Sequence, residues 1–231
     1  MKKILISLIN LFYPNLCRLC KRVLIEGETA VCLDCLYHLP RTGYRDYADN
    51  PVFHLLIDRQ ALEAATALYY YEQGGQVQKL VHLIKYYGHK ELGYQFGRQA
   101  AREWREADHP FQKADFIVPL PLHPKKQRRR GYNQSEWIAR GIAEETKIPL
   151  LTTAIRRDVM TESQTRLKGY NRWLNVKDIF SVIEPERLVG KHILLVDDVI
   201  TSGSTIGACM DALSVVPGVR ISVFALTMAA Q

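Results

Sequence analysis

An apolar run that ends in two carboxylates limits the fold of this chain more than any other feature. Residues 193–196 read Ile-Leu-Leu-Val, and Asp197 and Asp198 follow directly. Because successive side chains of a strand point to opposite faces, a strand that is apolar throughout must be covered on both faces. Such a strand is typical of the centre of a parallel sheet with helices on either side. We therefore expect both acids to lie where the sheet stops.

Strand and helix patterns alternate along the rest of the chain. Apolar runs predict further strands at residues 61–71, 114–120, 147–151, 179–183 and 219–228. Apolar stripes with helical spacing predict helices around Val77 and Ile84, at residues 91–106, around Trp137 and Ile142, and after Ile206. The alternation predicts an α/β fold in which helices flank a mostly parallel sheet. Since ligands of such folds gather at the carboxyl ends of strands, the loops after Pro119 and Asp197 are candidate sites.

Four of the five cysteines form two pairs with the spacing of a zinc knuckle. The Cys-x-x-Cys pattern recurs after 11 residues, and each tight turn lets two thiolates point at one centre. This predicts a structural Zn²⁺ site in a segment too short to bury a core of its own. The alternative is a pair of disulfides or a redox dithiol, and His38 is either a stray ligand or an ordinary surface histidine. The predicted metal ligands are Cys17, Cys20, Cys32 and Cys35.

The fifth cysteine, Cys209, belongs to an apolar stripe. Ile206, Cys209, Met210 and Leu213 recur at helical spacing, which predicts a helix packed against a sheet. A catalytic thiol would need a cationic or histidine neighbour that lowers its pKa, and none can be identified from the sequence. We therefore predict that Cys209 is a core residue.

Composition and charge narrow the class of protein. The chain has 231 residues, of which 47% are hydrophobic, and this suits one sizeable domain with a small appendage. We assign residues 1–45 to an N-terminal helix and a zinc-ribbon-like module, residues 46–60 to a linker, and residues 61–231 to the main domain. A net charge of +7 indicates affinity for phosphates, nucleic acid or acidic surfaces without choosing among them.

The first residues imitate a secretory signal only in part. Lys2 and Lys3 precede an apolar run, but no A-x-A cleavage site follows it. The run is also too short to span a bilayer, so we expect a short amphipathic or buried helix and no membrane span. Together with the cysteine usage, this predicts a cytoplasmic protein.

The loop after the two acids has the composition of a phosphate site. Thr201-Ser202-Gly203-Ser204-Thr205 opens the next predicted helix with small residues, whose backbone N–H groups and hydroxyls suit an anion. Acids for a sugar diol followed by a phosphate loop would fit a ribose 5-phosphate. The alternative is that the hydroxyls only cap the helix and the acids only bind loop amides.

The acids and this loop closely resemble the phosphoribosyl diphosphate (PRPP) signature of type I phosphoribosyltransferases. A four-cysteine knuckle ahead of such a segment resembles the ComF family of competence-associated proteins. Further matching segments are LIKYYGHKELG at 83–93, VPLPLHPKKQRRRGYNQS at 118–135 and SQTRLKGYNRWLN at 163–175. Together they cover nearly the whole chain. The resemblance implies a type I phosphoribosyltransferase-like fold for residues 61–231.

The resemblance also implies a role for each group of candidate residues. The acids that hold the ribose hydroxyls, and are the candidate catalytic residues, are Asp197 and Asp198. The 5-phosphate would bind Thr201, Ser202, Gly203, Ser204 and Thr205. The diphosphate, with its Mg²⁺, would face Arg128, Arg130, Asn133 and Gln134 in a basic loop. A mobile loop at residues 160–175 would close over PRPP with Gln164, Arg166, Lys168 and Arg172.

Simpler alternatives stand beside these roles. The basic run at residues 125–130 is otherwise a solvated surface or a nucleic-acid contact. The segment at 160–175 is otherwise a plain connecting helix. Lys85 matches a family position, but a surface lysine would look the same in the sequence.

Three functions follow from this reading. The first is a PRPP-binding phosphoribosyltransferase-like protein that acts in DNA uptake during natural transformation, with an unidentified acceptor. The second is a non-catalytic competence accessory factor that binds single-stranded DNA and works with the DNA-uptake machinery. The third is a zinc-dependent interaction adaptor with a vestigial pocket.

Overall fold

The computed structural model describes residues 14–104, 109–158 and 179–229. In chain order, the elements of this part are α1 (Leu33–Tyr37), α2 (Pro51–Leu56), β1 (Leu62–Tyr71), α3 (Gln76–Tyr86), α4 (Lys90–Glu103), a 3₁₀ turn (Pro110–Lys113), β2 (Phe116–Pro119), α5 (Pro124–Arg130), α6 (Gln134–Thr146), β3 (Ile155–Arg157), β4 (Phe180–Val182), a second 3₁₀ turn (Pro185–Arg187), β5 (His192–Ile200), α7 (Ser204–Leu213) and β6 (Arg220–Ala229). None of the helices within these ranges is both long and apolar enough to cross a bilayer.

Four strands form a parallel sheet in the order β1-β6-β5-β2. The apolar strand that ends in two acids is β5, and it lies inside the sheet between β6 and β2. Only one residue of β5 is not fully buried. This confirms the predicted α/β class, with a mostly parallel sheet flanked by helices.

Alternate residues of β5 pack into two different apolar clusters. Leu194 and Val196 contact the cluster that contains the buried faces of α3, α4 and α6. Ile193 and Leu195 belong to a second cluster, which contains the apolar face of α7. The strand is therefore covered on both faces, which is the reason that it carries no polar residue between His192 and Asp197.

Cys209 lies on α7 within the second cluster and is fully buried. Burial raises the pKa of its thiol, so the side chain stays protonated. The prediction that Cys209 is a core residue is confirmed.

The prediction that both acids lie beyond the sheet is wrong for one side of β5. Pairing with β6 continues past the acids to Ile200↔Met228. Pairing with β2 stops earlier, at Pro119↔Val196. The acids are therefore inside the strand on the β6 side and beyond the paired region on the β2 side.

Two strand predictions also need correction. Residues 147–151 form no strand and make only one bridge, Ile117↔Leu150, because the chain touches β2 for a single residue before turning away. The strand predicted at 179–183 exists as β4, but it pairs antiparallel with β3 in a separate two-stranded sheet. A strand of three paired residues is too short for the sequence to indicate which strand it pairs with.

The chain that leaves α1 runs along the free edge of β1. Arg41 and Tyr69 form an antiparallel bridge, and the N–H of Tyr70 donates to the carbonyl of Pro40 over 2.9 Å. Arg41 also pairs with Glu103 on α4 at 2.7 Å. Further along, α2 occupies residues that we assigned to the linker, and it buries Val52 and Leu56. The domain boundaries at residues 45 and 60 stay predictions.

Helices α4 and α6 touch through glycine. A Cβ atom at Gly97 would lie 2.0 Å from the backbone oxygen of Ile138, and one at Gly141 would lie 2.0 Å from the backbone oxygen of Tyr94. Gly93, on the same helix as Gly97, leaves more room, since the nearest atom to its Cβ would be Ile138 Cγ1 at 3.4 Å. The two backbones therefore pack directly against each other at two points and less tightly at the third.

We expect Gly97→Ala to lower the free energy of unfolding by roughly 2–4 kcal/mol, because the added methyl group collides with backbone that cannot move alone. The helix-propensity gain of about 1 kcal/mol from alanine offsets only part of this. Gly93→Ala is the matched control and should change the free energy by less than about 1 kcal/mol. Urea unfolding followed by circular dichroism measures both, and an equal effect of the two substitutions would contradict the close helix contact.

Candidate functional site

The two acids form a buried pair in the part of β5 that lies just beyond its pairing with β2. Asp197 and Asp198 are each 9% exposed. Asp197 Oδ1 accepts a hydrogen bond from the Ser135 hydroxyl at 3.0 Å and another from the N–H of Asp198 at 2.7 Å. Thr227 on β6 donates to the carbonyl of Asp198. Ser135 is in the first turn of α6, so the pair is held between a strand and the start of a helix.

Lys85 completes this arrangement from α3. Its Nζ lies 3.0 Å from Asp198 Oδ1, and the two side chains are only 18% and 12% exposed. The alternative of an ordinary surface lysine is therefore excluded. Lys85 follows the buried Ile84 in the last turn of α3, and this packing directs the ammonium group toward the acids.

The surroundings of Asp197 disfavour the ionised form of its carboxyl group. Burial raises the pKa of Asp197 from its usual 3.8 to about 7, and the neighbouring Asp198 adds to the rise. Lys85 opposes the rise, as do the hydrogen bonds from the Asp198 N–H and Ser135. Burial and Asp198 therefore favour the protonated form of Asp197, whereas Lys85 and the two hydrogen bonds favour its ionised form.

Several cations lie close enough to interact with Lys126, among them Lys85 and Arg157, which also interact with the acids. Burial and then the nearby charge of Arg157 lower the pKa of Lys126, and Arg130, Arg129 and Lys85 contribute in the same direction. Positive charge in this region therefore exceeds what the acids neutralise. Such a surplus suits a ligand with several negative charges.

Arg157 was missed in the sequence. It lies on β3, is 7% exposed and has its guanidinium over the Phe180 ring at 5.4 Å. Burial lowers its pKa, and the charge of Asp197 works in the opposite direction. A strand pattern at residues 155–157 could have indicated its burial. Alternating side chains place Ile155 and Arg157 on the same, buried face.

The basic run after Pro119 is a helix and not the predicted loop. His123 Nδ1 accepts the N–H of Lys125, Pro124 takes the first turn, and Gly131 ends the helix in the left-handed conformation. The arginines of the last turn also complement the negative end of the helix dipole. Helix α5 is therefore stabilised by its capping residues and by charge, and it has no apolar face.

The four residues predicted for the diphosphate have different surroundings. Arg130 donates to Gln134 Oε1 at 2.8 Å and reaches the Tyr86 hydroxyl at 3.3 Å. Asn133 caps α6 and donates to the carbonyl of Leu120. Arg128 is exposed to solvent. The structure thus brings Arg130 and Gln134 together, uses Asn133 to hold the helix start, and leaves Arg128 on the surface.

The predicted phosphate loop lies at the start of α7, directly after β5. Gly203 is the residue before the helix, has φ +69° and is buried, and a Cβ there would lie 2.7 Å from Leu55 Cδ2. The side chains around it are exposed, and Ser202 Oγ lies 2.8 Å from Ser204 Oγ. Exposed hydroxyls and free N–H groups at a helix start can bind a phosphate. The exposed residues of this loop are Thr201, Ser202, Ser204 and Thr205.

The candidate mobile-loop residues lie outside the described residues. They are Gln164, Arg166, Lys168 and Arg172.

The four predicted metal ligands meet at one point. Their sulfur atoms all lie within 4.8 Å of one another, and the pairs Cys17–Cys35 and Cys20–Cys32 are 3.9 and 3.6 Å apart. Zinc bound tetrahedrally at about 2.3 Å from each sulfur requires sulfur atoms about 3.8 Å apart. These separations are longer than a disulfide bond, and none of the four cysteines is joined to another in the structure. The cluster therefore fits a metal ion such as zinc.

Local hydrogen bonds hold the two cysteine pairs in place. Burial opposes ionisation of Cys17, but N–H groups of Cys20 and Cys32 bind its sulfur, and the net effect lowers its pKa to about 6. The carboxylate of Glu28 accepts the N–H groups of Ile25 and Leu33 and so ties the two halves of the module together. His38 is exposed, with Nδ1 2.8 Å from the carbonyl of Asp34, as expected of an ordinary surface histidine.

The fold and the site thus define an α/β protein with a buried acid pair ahead of a helix start and a separate four-thiol cluster. No family model matches the chain. It is similar to Competence protein F of Haemophilus influenzae, at 32% identity over 52% of this chain and 53% of that protein. It is also similar to the DNA utilization protein YhgH of Escherichia coli O157:H7, at 26% identity over 84% of this chain and 88% of that protein.

A third relative is Competence protein ComFC of Bacillus subtilis, with 26% identity over 83% of this chain and 68% of that protein. The match to the Haemophilus protein, in contrast, spans only about half of either length.

Two solved structures are also similar in part. One is described as the allosteric regulatory enzyme of purine biosynthesis, with a TM-score of 0.38, 21% identity and coverage of 57% of this chain and 25% of the other. The second is a purine phosphoribosyltransferase from Pyrococcus horikoshii, with a TM-score of 0.35, 13% identity and coverage of 58% and 80%. Scores this low do not establish a shared fold.

We expect the reduced protein to contain about one zinc ion per chain, because four thiolates complete a tetrahedral shell. Cys32→Ser should lose the metal and lower the melting temperature, since the ion organises the segment around it. His38→Ala is the control and should keep full zinc content. Elemental analysis with thermal unfolding measures both, and a metal-free wild-type protein with an unchanged melting temperature after chelation would contradict the assignment.

Asp197→Asn should stabilise the protein more at pH 8 than at pH 5. The folded-state pKa of Asp197 is raised to about 7, so its protonated form contributes stability at low pH that is lost as pH rises through this value. Asparagine keeps the neutral state at both pH values, and the difference from wild type should grow by roughly 2 kcal/mol.

Asp115→Asn is the control for this measurement. A hydrogen bond from the His192 N–H lowers the pKa of Asp115, so its titration lies below this pH window and its effect should be equal at pH 5 and pH 8. Chemical unfolding at the two pH values compares the variants. A constant difference between Asp197→Asn and wild type would show that the Asp197 carboxyl is not perturbed.

Proposed function

We propose that this protein binds PRPP and is a phosphoribosyltransferase-like member of the ComF family. One observation carries the proposal: a buried acid pair on a central strand lies directly before an exposed hydroxyl loop at the start of a helix. The pair offers acceptors for two sugar hydroxyls, and the loop offers donors for a phosphate. The surplus of cations around Lys126 and Arg157 then suits the diphosphate at the other end of the ligand.

Each end of the ligand would meet a different kind of group. Asp197 and Asp198 would accept hydrogen bonds from the vicinal ribose hydroxyls, which requires Asp197 to be ionised or to turn its free oxygen toward the sugar. Residues 201–205 would hold the 5-phosphate with backbone N–H groups and hydroxyls. Arg128 and Arg130 would reach the diphosphate by turning their flexible side chains from solvent and from Gln134. A Mg²⁺ ion carried with the diphosphate would neutralise part of its charge.

Transfer at this site would break the bond between ribose C1 and a diphosphate oxygen. The electron pair leaves with the diphosphate, C1 gains positive character, and an acceptor nitrogen supplies the new bond. The acid pair stabilises positive charge on the sugar, and the cations stabilise negative charge on the leaving group. The identity of the acceptor is open, and the mobile-loop prediction stays a prediction.

The relatives support a role in DNA handling. Three of them are named for competence or DNA utilization, and two of these matches extend over more than four fifths of this chain. We place the protein in DNA uptake during natural transformation, in the cytoplasm, where cysteines stay reduced and are able to bind metal.

Single-stranded DNA binding is the second candidate function. Helix α5 carries exposed lysine and arginine side chains, Tyr86 and Tyr87 are exposed aromatic residues, and Arg130 of α5 lies over the Tyr86 ring at 5.1 Å. Cations beside exposed rings suit phosphates and unstacked bases. A zinc-dependent adaptor with a vestigial pocket would instead bind neither ligand.

Titration calorimetry with Mg-PRPP tests the proposed site. The double variant Asp197→Asn/Asp198→Asn should bind at least about tenfold more weakly than wild type, since hydrogen bonds to charged groups contribute about 1.5–3 kcal/mol each. Asp211→Asn removes an exposed carboxylate on α7 that pairs with Arg59, and it should bind like wild type. Diphosphate release across candidate acceptor bases then separates turnover from binding.

Equal PRPP binding by wild type and the double variant would contradict the proposed binding site at Asp197 and Asp198. Absence of PRPP binding together with salt-dependent binding of single-stranded DNA, weakened by neutralising Lys125 to Arg130, would favour the second function.

A further inference from the structure

Lys85 forms an ion pair with one of the two acids. Its ammonium nitrogen is 3.0 Å from Asp198 Oδ1. Ile84, the preceding residue, is fully buried, and its carbonyl accepts a hydrogen bond from the Tyr132 hydroxyl. The Ile84 side chain and carbonyl thus both hold the end of α3 in place. This fixes the backbone from which the Lys85 side chain reaches Asp198.

The other acid also has partners. Asp197 Oδ1 accepts from the Ser135 hydroxyl and from the Asp198 N–H. The pair is therefore surrounded by donors: a hydroxyl, a backbone N–H and an ammonium group. Donor groups suit bare carboxylate oxygens, whereas Mg²⁺ requires about six oxygen ligands in a nearly octahedral shell.

A metal ion on Asp198 would also meet positive charge. It would lie beside the Lys85 ammonium or would have to displace it. The cations around Lys126 already repel one another, as the lowered pKa of that residue indicates. Arg157 is buried, and its charge interacts with that of Asp197. The residues at the acid pair therefore do not fit a directly bound Mg²⁺ ion.

We propose that Lys85 replaces the divalent cation at Asp198, so that the ribose end of PRPP binds the acid pair without a metal ion. This inference rests on the proposed function. The ammonium group neutralises Asp198, orients its free oxygen toward the sugar and keeps the acids from capturing a metal. Any Mg²⁺ that accompanies the ligand then stays on the diphosphate.

The first test compares PRPP affinity with and without Mg²⁺. The buffer is freed of divalent cations over a chelating resin before use, because a dissolved chelator would compete for the metal of the cysteine cluster. Adding Mg²⁺ should raise the affinity of wild type less than that of Lys85→Met, because in wild type the ion acts only at the diphosphate. Lys85→Met should bind at least about tenfold more weakly without Mg²⁺ and regain affinity when it is added.

Two variants control this experiment. Lys79→Met removes an exposed lysine from the same helix and should behave as wild type. Lys85→Arg keeps the charge and should bind PRPP and respond to Mg²⁺ as wild type does. A gain from Mg²⁺ that is as large for wild type as for Lys85→Met, or Lys85→Met binding that equals wild type in both buffers, would overturn the inference while leaving PRPP binding itself intact.

The second test uses Mn²⁺ alone and does not depend on PRPP. Electron paramagnetic resonance should show no Mn²⁺ bound at the acids of wild type. Lys85→Met should gain one Mn²⁺ site, and Asp198→Asn in that background should remove it. Mn²⁺ binding to wild type that disappears in Asp198→Asn would overturn the inference, as would the lack of a new site in folded Lys85→Met.

Discussion

Strand β5 is paired over different lengths on its two sides, and the site depends on that difference. Its ladder with β6 continues to Ile200, whereas its ladder with β2 ends at Val196. The acids are therefore fixed by one neighbour and open toward the side that β2 has left. Ser135 and Lys85 enter this opening from two separate helices.

Two adjacent buried carboxylates cost stability, and their surroundings offset only part of this cost. The Ser135 hydroxyl and a backbone N–H bind Asp197, and the Lys85 ammonium pairs with Asp198. The raised pKa of Asp197 shows that ionisation there is still unfavourable. Groups kept in such a state are characteristic of sites that act on a ligand. The acid pair, rather than the more conspicuous basic surface, is therefore the centre of the proposed site.

The parts of this structure that could be predicted are those with local signals. An apolar run identifies β5, helical spacing identifies α7 around Cys209, and repeated Cys-x-x-Cys identifies the thiol cluster. Helix α5 was not predicted, because a run of lysine and arginine has no apolar periodicity. Only its capping residues, His123 and Gly131, mark its ends. The contacts made by Lys85 and Ser135 also escaped, because each joins residues far apart in the chain and follows from how α3 and α6 pack on the sheet.

The thiol cluster shows the same contrast between local pattern and folded position. Its spacing can be read in the sequence, but the sheet order decides what the module does for the fold. Strand β1 lies at the edge, where unpaired backbone groups would face solvent. The chain leaving α1 covers that edge through the Arg41↔Tyr69 bridge, and Cys35 lies in the same apolar cluster as Tyr69. A metal ion bound by Cys35 would therefore also restrain the segment that covers this edge of the sheet.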